Sequence, residues 1–268
     1  MSYKVEVILS CMYFKEDMLR FNNIQSDILV INQCDYSSYA EIDFKDKSGV
    51  FHKARIISTQ DRGLSRSRNL ALQHANGDIL VVADDDEKFL NYYPEIILKS
   101  YLENPSADVI LFNICSNRNL RSPIKKKRKV WYLHAMRISS QQITFKRESI
   151  KKDNIRFDIT MGAGSGNGGG EENRFLFDCL KYRLKLIHLP CFIARVEHKQ
   201  STWFHGYTEE YFINRGYSSR KLLGRFLGVL YIMQWSLAKY SLYKKSTPLS
   251  VAVLWQLKGL FCKKGLYQ

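Results

Sequence analysis

The 268-residue chain carries 45% hydrophobic and 13% aromatic residues, enough for a substantial α/β domain with an appendage and too many for wholesale disorder. The net charge is +15, and ten of those positive charges (Arg215, Arg220, Lys221, Arg225, Lys239, Lys244, Lys245, Lys258, Lys263 and Lys264) follow Glu210, after which there is no Asp or Glu. Six scattered cysteines without a C-x-x-C pair exclude a zinc ribbon or disulfide framework and fit a reducing cytosol.

Met1 to Lys15 lacks a basic segment followed by a long apolar run, so no secretory signal is expected. Val5–Ser10, Ile28–Asn32, Ile79–Ala83 and Val109–Phe112 are short β-branched runs of the kind that form buried parallel strands. Helical spacing appears between them at Leu64–His74 and Tyr93–Asn104, and again at Glu171–Arg183. Alternating strands and helices imply a parallel α/β sheet, with ligands beyond the carboxyl ends of the strands. Lys125–Asp158, polar and basic, reads as an antiparallel excursion at the sheet edge, and Gly162–Gly170 as a flexible loop.

The character changes beyond Tyr217. Phe226–Ala238 and Ser246–Leu257 are uncharged and largely apolar, yet too short for the roughly 20 residues of a membrane-spanning helix. Flanking charge of one sign predicts helices lying in an anionic membrane surface, with Tyr231, Trp235 and Trp255 as anchors. The division expected is a catalytic domain over 1–215 and a basic, apolar, membrane-associating helical tail over 216–268.

The string ILVVADDDE, Ile79 to Glu87, carries the strongest chemical information. Adjacent carboxylates repel one another, so Asp84, Asp85 and Asp86 at the end of a buried strand point to a divalent cation. Oxygen ligands suit Mg²⁺ or Mn²⁺, which also bridge a diphosphate. Upstream, TQDRGLSRSRNLAL, ending at Leu72, places a turn at Asp61–Gly63, Ser65 as a helix cap, and Arg66, Arg68 and Asn69 in the first turns. Arginines at a helix start favour phosphate oxygens or an acidic partner.

These two segments resemble the core of family 2 glycosyltransferases, which have the GT-A fold, a Rossmann-like, mostly parallel sheet flanked by helices. The likeness covers roughly residues 3–210 and is of the bacterial polysaccharide-building type. It implies that Asp84 contacts the ribose of a UDP-sugar donor, that Asp86 holds the metal, that Arg68 and Arg66 stabilise the nucleotide pocket, and that Ser10 lines it. Asp61 and Asp85 join this donor-binding set. Where many members carry a uracil-reading acid, this chain has Gln33 with Asp35 beyond, and an amide can also pair with the uracil edge. GGGEENRF, Gly168 to Phe175, resembles the acceptor-side G-E-D motif. Its catalytic base becomes Glu172, beside Glu171, in an ordering loop of glycines. His198 sits where relatives complete the metal shell, and Trp203 and Tyr207 are candidates to stack on an acceptor sugar.

The function implied is inverting transfer of a hexose from a UDP-sugar to a saccharide acceptor, lipid-linked, in cell-surface polysaccharide synthesis. The enzyme is expected in the cytoplasm, peripheral on the inner face of the plasma membrane. One rival is a nucleic-acid-binding protein, resting on KKKRKV at Lys125–Val130. It leaves the acidic cluster without a purpose, so no nucleic-acid partner is expected. A nucleotidyltransferase would want a glycine-rich triphosphate loop near the first strand, which Ser10–Lys15 does not supply. A third alternative is an inactive donor-binding scaffold.

Overall fold

A computed structural model describes residues 3–116, 122–196 and 206–261. The chain divides into two compact units: Met1–Arg62, Arg66–Arg156 and Phe175–Gln200 form the first, and Gly63–Ser65, Phe157–Arg174 and Ser201–Gln268 the second.

The first unit is built on one mixed sheet. Its strands are β1 (Val5–Met12), β2 (Asp27–Gln33), β3 (Ser38–Lys45), β4 (Phe51–Thr59), β5 (Ile79–Asp84), β6 (Glu87–Phe89), β7 (Val109–Ser116), β8 (Arg128–Lys129), β9 (Ile143–Lys146) and β10 (Leu186–Val196). The order is β3-β4-β2-β1-β5-β9-β7-β10-β6, with β8 paired to β10. The core run β4-β2-β1-β5 is parallel. Its residues Val7, Ile28, Val30, Ile79 and Val81 are fully buried, as expected of strands covered on both faces. The four strands expected from the sequence are all present, each extended by one to four residues.

Three features differ from the sequence-based expectation. The antiparallel strand of the 125–158 segment, β9, lies inside the sheet between β5 and β7 and not at its edge. Thr144 explains this: it is fully buried, and its hydroxyl is satisfied by the Ile110 carbonyl (2.8 Å) and the Tyr101 hydroxyl (3.0 Å). A polar residue of that segment is thus accommodated in the core. The β3–β4 hairpin has no counterpart among the expected strands. Its β3 strand is exposed to half-buried throughout, while β4 alternates buried Ala54, Ile56 and Ser58 with half-buried residues. Ser65 does not cap its helix: α2 (Leu64–His74) begins at Leu64, and the Ser65 hydroxyl instead donates to the Met161 carbonyl at 2.7 Å.

The first unit also carries α1 (Asp17–Phe21), α3 (Tyr93–Glu103), the short α4 (Tyr132–Ala135) and α5 (Arg147–Lys152). In α6 (Glu171–Lys181), Phe175, Leu176 and Cys179 are fully buried along one face.

The second unit is dominated by α7 (Glu209–Ala238), followed by α8 (Tyr240–Tyr243) and α9 (Leu249–Phe261). The expected boundary at 215/216 falls inside α7, and Phe226–Ala238 is the end of this longer helix. The Thr208 hydroxyl caps it by accepting the Tyr211 N–H (3.2 Å), and Gly224 kinks it at φ +72°. Glycines let α7 and α9 touch backbone to backbone. A Cβ on Gly216 would lie 1.9 Å from the Gln256 carbonyl oxygen, and one on Gly259 would lie 1.9 Å from that of Ile213. Beside this crossing, Phe212, Tyr243 and Ala252 are buried, and Trp235 and Trp255 pack on them. These two tryptophans were expected as lipid anchors. Packing holds them in the aromatic cluster, and the exposed apolar residues of α7 are Phe226, Leu227, Leu230, Met233 and Leu237. Among the described residues, no helix is long and apolar enough to cross a membrane.

Candidate active site

The acidic cluster stands at the carboxyl end of β5. Asp84 ends that strand, in register with Ser10 of β1. Both of its carboxylate oxygens are engaged. Oδ1 accepts from Arg68 Nη2 (2.8 Å), and Oδ2 accepts from Ser140 Oγ (2.7 Å) and Gln141 Nε2 (2.8 Å). Arg68 is 1% exposed, so the guanidinium is desolvated and its pairing with Asp84 is a strong orienting contact. Two residues earlier, on roughly the opposite face of α2, Arg66 points to solvent and pairs with exposed Asp61 at 3.1 Å.

Asp85 is exposed and Asp86 half-buried, so these carboxylates are accessible where Asp84 is locked. Glu87 is fully buried in β6. Desolvation, then the charges of Asp84 and Asp86, push its carboxyl well above the usual range, against an opposing contact from the Asp84 backbone. The buried Cys11 thiol is pushed up to about 12 by burial, with Asp85 and Cys34 adding to it, so it stays protonated and unreactive. The Ser10 hydroxyl accepts from Ser67 of α2 at 2.9 Å, tying the helix to the end of β1.

A second polar group sits at the ends of β1, β2 and β4. Arg62 donates to the Gln33 carbonyl (2.6 Å) and to Asp35 Oδ1 (2.7 Å), while the Tyr13 hydroxyl donates to Asp35 Oδ2 (2.9 Å). Gln60 Nε2 donates to the Asp35 carbonyl (2.7 Å). The Gln33 residue is buried, and the Asp35 side chain is 73% exposed. Tyr13 presents a ring that is half exposed, with the Arg62 guanidinium 5.4 Å from its centroid.

In the second unit, Gly162, Gly164, Gly166, Gly168 and Gly170 all have positive φ, which only glycine adopts without strain. Glu171 is 5% exposed, and a Cβ on Gly162 would lie 3.1 Å from its Oε2. Glu172, the next residue, is half-buried and retains access to solvent. Tyr207 is half-buried in the aromatic cluster, edge-on to Tyr211 at 5.3 Å, a packing role. His198 and Trp203 lie outside the described residues.

Ser140, Gln141, Arg62 and Tyr13 were not expected from the sequence. Ser140 and Gln141 occupy a 3-10 turn (Ser140–Gln142) leading into β9, and nothing in the polar string SSQQ marks it. Arg62 did have a signal, lying between Asp61 and Gly63 in the turn before α2.

A mixed sheet with carboxylates at a strand end, one of them oriented by a buried arginine, is the architecture of the GT-A fold. The chain belongs to glycosyl transferase family 2, whose family model matches residues 25–165. Its fold is similar to that of S. aureus TarS. The structure of TarS 1-349 aligns with a TM-score of 0.59 at 13% identity, over 92% of this chain and 76% of that one. The same fragment in complex with UDP-GlcNAc aligns at 0.60 and 13% identity, over 92% and 77%. Against a longer TarS structure, at 0.56 and 13% identity, the alignment covers 81% of this chain and 39% of that one. No curated protein sequence matches the chain significantly.

Proposed function

We propose that this glycosyltransferase moves a hexose from a UDP-sugar to a saccharide acceptor, with inversion of the anomeric centre. The observation that carries the reading is Asp84, fixed on three sides by Arg68, Ser140 and Gln141 beside accessible Asp85 and Asp86. The TarS fragment in complex with UDP-GlcNAc, similar in fold, supports a uridine nucleotide as donor. The half-exposed Tyr13 ring offers a stacking surface for a base, and Gln33 and Asp35 offer polar groups for its edge.

The donor set fits a divalent cation. Mg²⁺ and Mn²⁺ are held by one or two carboxylates together with phosphate oxygens, and Asp86 and Asp85 are accessible hard-oxygen ligands. Among the described residues there is no group of three or more His, Cys, Asp and Glu that would hold a metal without the donor. Asp86 would be the principal ligand, with Asp84 contributing only if it exchanges one of its present partners, and with His198 implied by resemblance. When bound, the cation supplies neutralisation of charge on the leaving diphosphate.

The chain's own residues do the rest. Glu172, with solvent access, takes the proton from the acceptor hydroxyl as its oxygen attacks the anomeric carbon. The bond to the UDP oxygen breaks in the same displacement, through an oxocarbenium-like transition state, without a covalent intermediate. Arg68 holds Asp84 in place for the ribose. Glu171, buried against Gly162, orders the loop.

The acceptor is lipid-linked in this reading, in cell-surface polysaccharide synthesis, and the tail holds the enzyme on the inner face of the plasma membrane. In support, α7 exposes Phe226, Leu227, Leu230, Met233 and Leu237, with exposed Arg225 just before this run, exposed Lys239 just after it and no acid after Glu210. The sugar-phosphate nucleotidyltransferase alternative finds no support in the family assignment.

The test is a panel of UDP- and GDP-sugars with Mn²⁺, scored for binding and metal-dependent hydrolysis. A UDP-sugar is expected to bind and turn over, and binding of none of them overturns the reading. Glu172→Gln should keep donor binding and lower transfer about 10³-fold. Retained turnover removes Glu172 from the role.

A further inference from the structure

From Val109 to Arg147 the chain contains ten Lys and Arg residues and no Asp or Glu. The basic run within this stretch is fixed in place. Arg128 and Lys129 form β8, paired antiparallel with His188 and Ile187 of β10. The next residue, Val130, is fully buried, and its N–H donates to the Leu186 carbonyl at 3.0 Å. The fully buried Ala135 pins the chain again at the end of α4. Between the two pins the chain turns three large apolar residues outward. Trp131 is 59% exposed, Tyr132 44% and Leu133 80%. The surroundings hold two of these rings in position. Lys129 Nζ lies 4.3 Å from the Trp131 centroid, and Tyr132 meets the Phe177 ring edge-on at 4.9 Å.

An anchored patch of exposed cations next to Trp, Tyr and Leu has the composition of a lipid-interface contact. Cations are attracted to anionic head groups, and amphipathic rings settle at head-group level. Exposed apolar residues adjoining one another need a partner that buries them. A single-stranded nucleic acid would offer phosphates to the lysines and bases to Trp131, but no apolar slot for Leu133.

We propose that Lys125–Leu133 is a second membrane footing, in which Lys125, Lys126 and Arg128 engage anionic lipid head groups while Trp131 and Leu133 enter the head-group boundary. The inference extends the membrane reading above, and different residues carry it, so each can fail alone.

The experiment is co-sedimentation of the full chain with vesicles of phosphatidylcholine, with and without phosphatidylglycerol. Binding is expected only with the anionic lipid. The triple variant Lys125→Gln/Lys126→Gln/Arg128→Gln should bind anionic vesicles about 100-fold more weakly, at roughly fivefold per charge. Trp131→Ser/Leu133→Ser should weaken binding about tenfold. The control Lys125→Arg/Lys126→Arg should bind as the parent does, and circular dichroism melts should confirm that every variant folds. Unchanged binding by the triple variant overturns the footing, as does loss in the Arg control. So does a triple variant that loses single-stranded RNA affinity but keeps vesicle affinity. Phe226→Ser/Leu230→Ser tests the tail by itself. If only that variant detaches, the tail reading stands and the footing fails, and the reverse result removes the tail.

Discussion

The two units fix their candidate residues and helices by opposite means. In the first, side chains do the positioning: Asp84 is fixed by Arg68, Ser140 and Gln141 at the end of a buried strand. In the second, the backbone does it: Gly216 and Gly259 bring α7 and α9 into contact that admits no side chain, and five glycines with positive φ shape the loop before Glu171. Polar residues at strand ends leave a motif that can be read in one dimension. Glycine packing leaves only missing side chains, whose partners are many residues away.

The sharpest way to break this contrast is at Arg68. Arg68→Met removes a buried charge from its pair and should cost about 3 kcal/mol of stability, as well as donor affinity. The low end of the range applies because Asp84 keeps Ser140 and Gln141. Urea unfolding with and without UDP measures both effects, and a loss below about 1 kcal/mol would mean that Arg68 does not anchor the site. Next comes Gly216→Ala. One methyl directed at the Gln256 carbonyl oxygen should force the helices apart at a cost of about 2 kcal/mol. UDP affinity should be unaffected by this change, because the Asp84 contacts lie in the other unit. If the melt is unchanged, the close helix crossing is wrong.

The smallest effect sharpens the first unit. Burial raises the Asp46 pKa, but hydrogen bonds from Ser48, His52 and the backbone N–H groups of Val50 and Ser48 outweigh it and hold the carboxyl at about 2, against an ordinary 3.8. A depressed folded-state pKa contributes stability that is present above pH 3.8 and lost as the pH falls towards 2. Asp46→Asn should therefore destabilise the β3–β4 hairpin at neutral pH and match the parent near pH 2. Equal pH profiles for the two proteins would exclude Asp46 as the stabilising group.

The sequence made the parallel core legible because its strands are continuous β-branched runs buried on both faces. It missed the β3–β4 hairpin, since strands such as SYAEIDFK lack that apolar continuity. The position of β9 was also hidden. Thr144 counted as polar in the pattern, and only the Ile110 carbonyl and Tyr101 hydroxyl make it a core residue. At the site, the string of acids after ILVVA identified the strand end by itself. It put Arg68 first and Arg66 beside it, and burial separated them: Arg68 is enclosed, while Arg66 stays in solvent.

What the sequence determined alone is therefore the chemistry at hand: carboxylates following a buried strand, an arginine helix upstream, a glycine loop with two glutamates, and a basic apolar tail. Tertiary structure decided which of those groups are enclosed and which reach solvent. It locked Asp84 and left Asp85 and Asp86 accessible, drew Trp235 and Trp255 into a cluster while exposing Phe226 and Leu230, and turned a basic run into an anchored strand beside Trp131. The physical reason is that charge and hydrophobicity belong to single residues, whereas burial and hydrogen-bond partners depend on segments far apart in the chain.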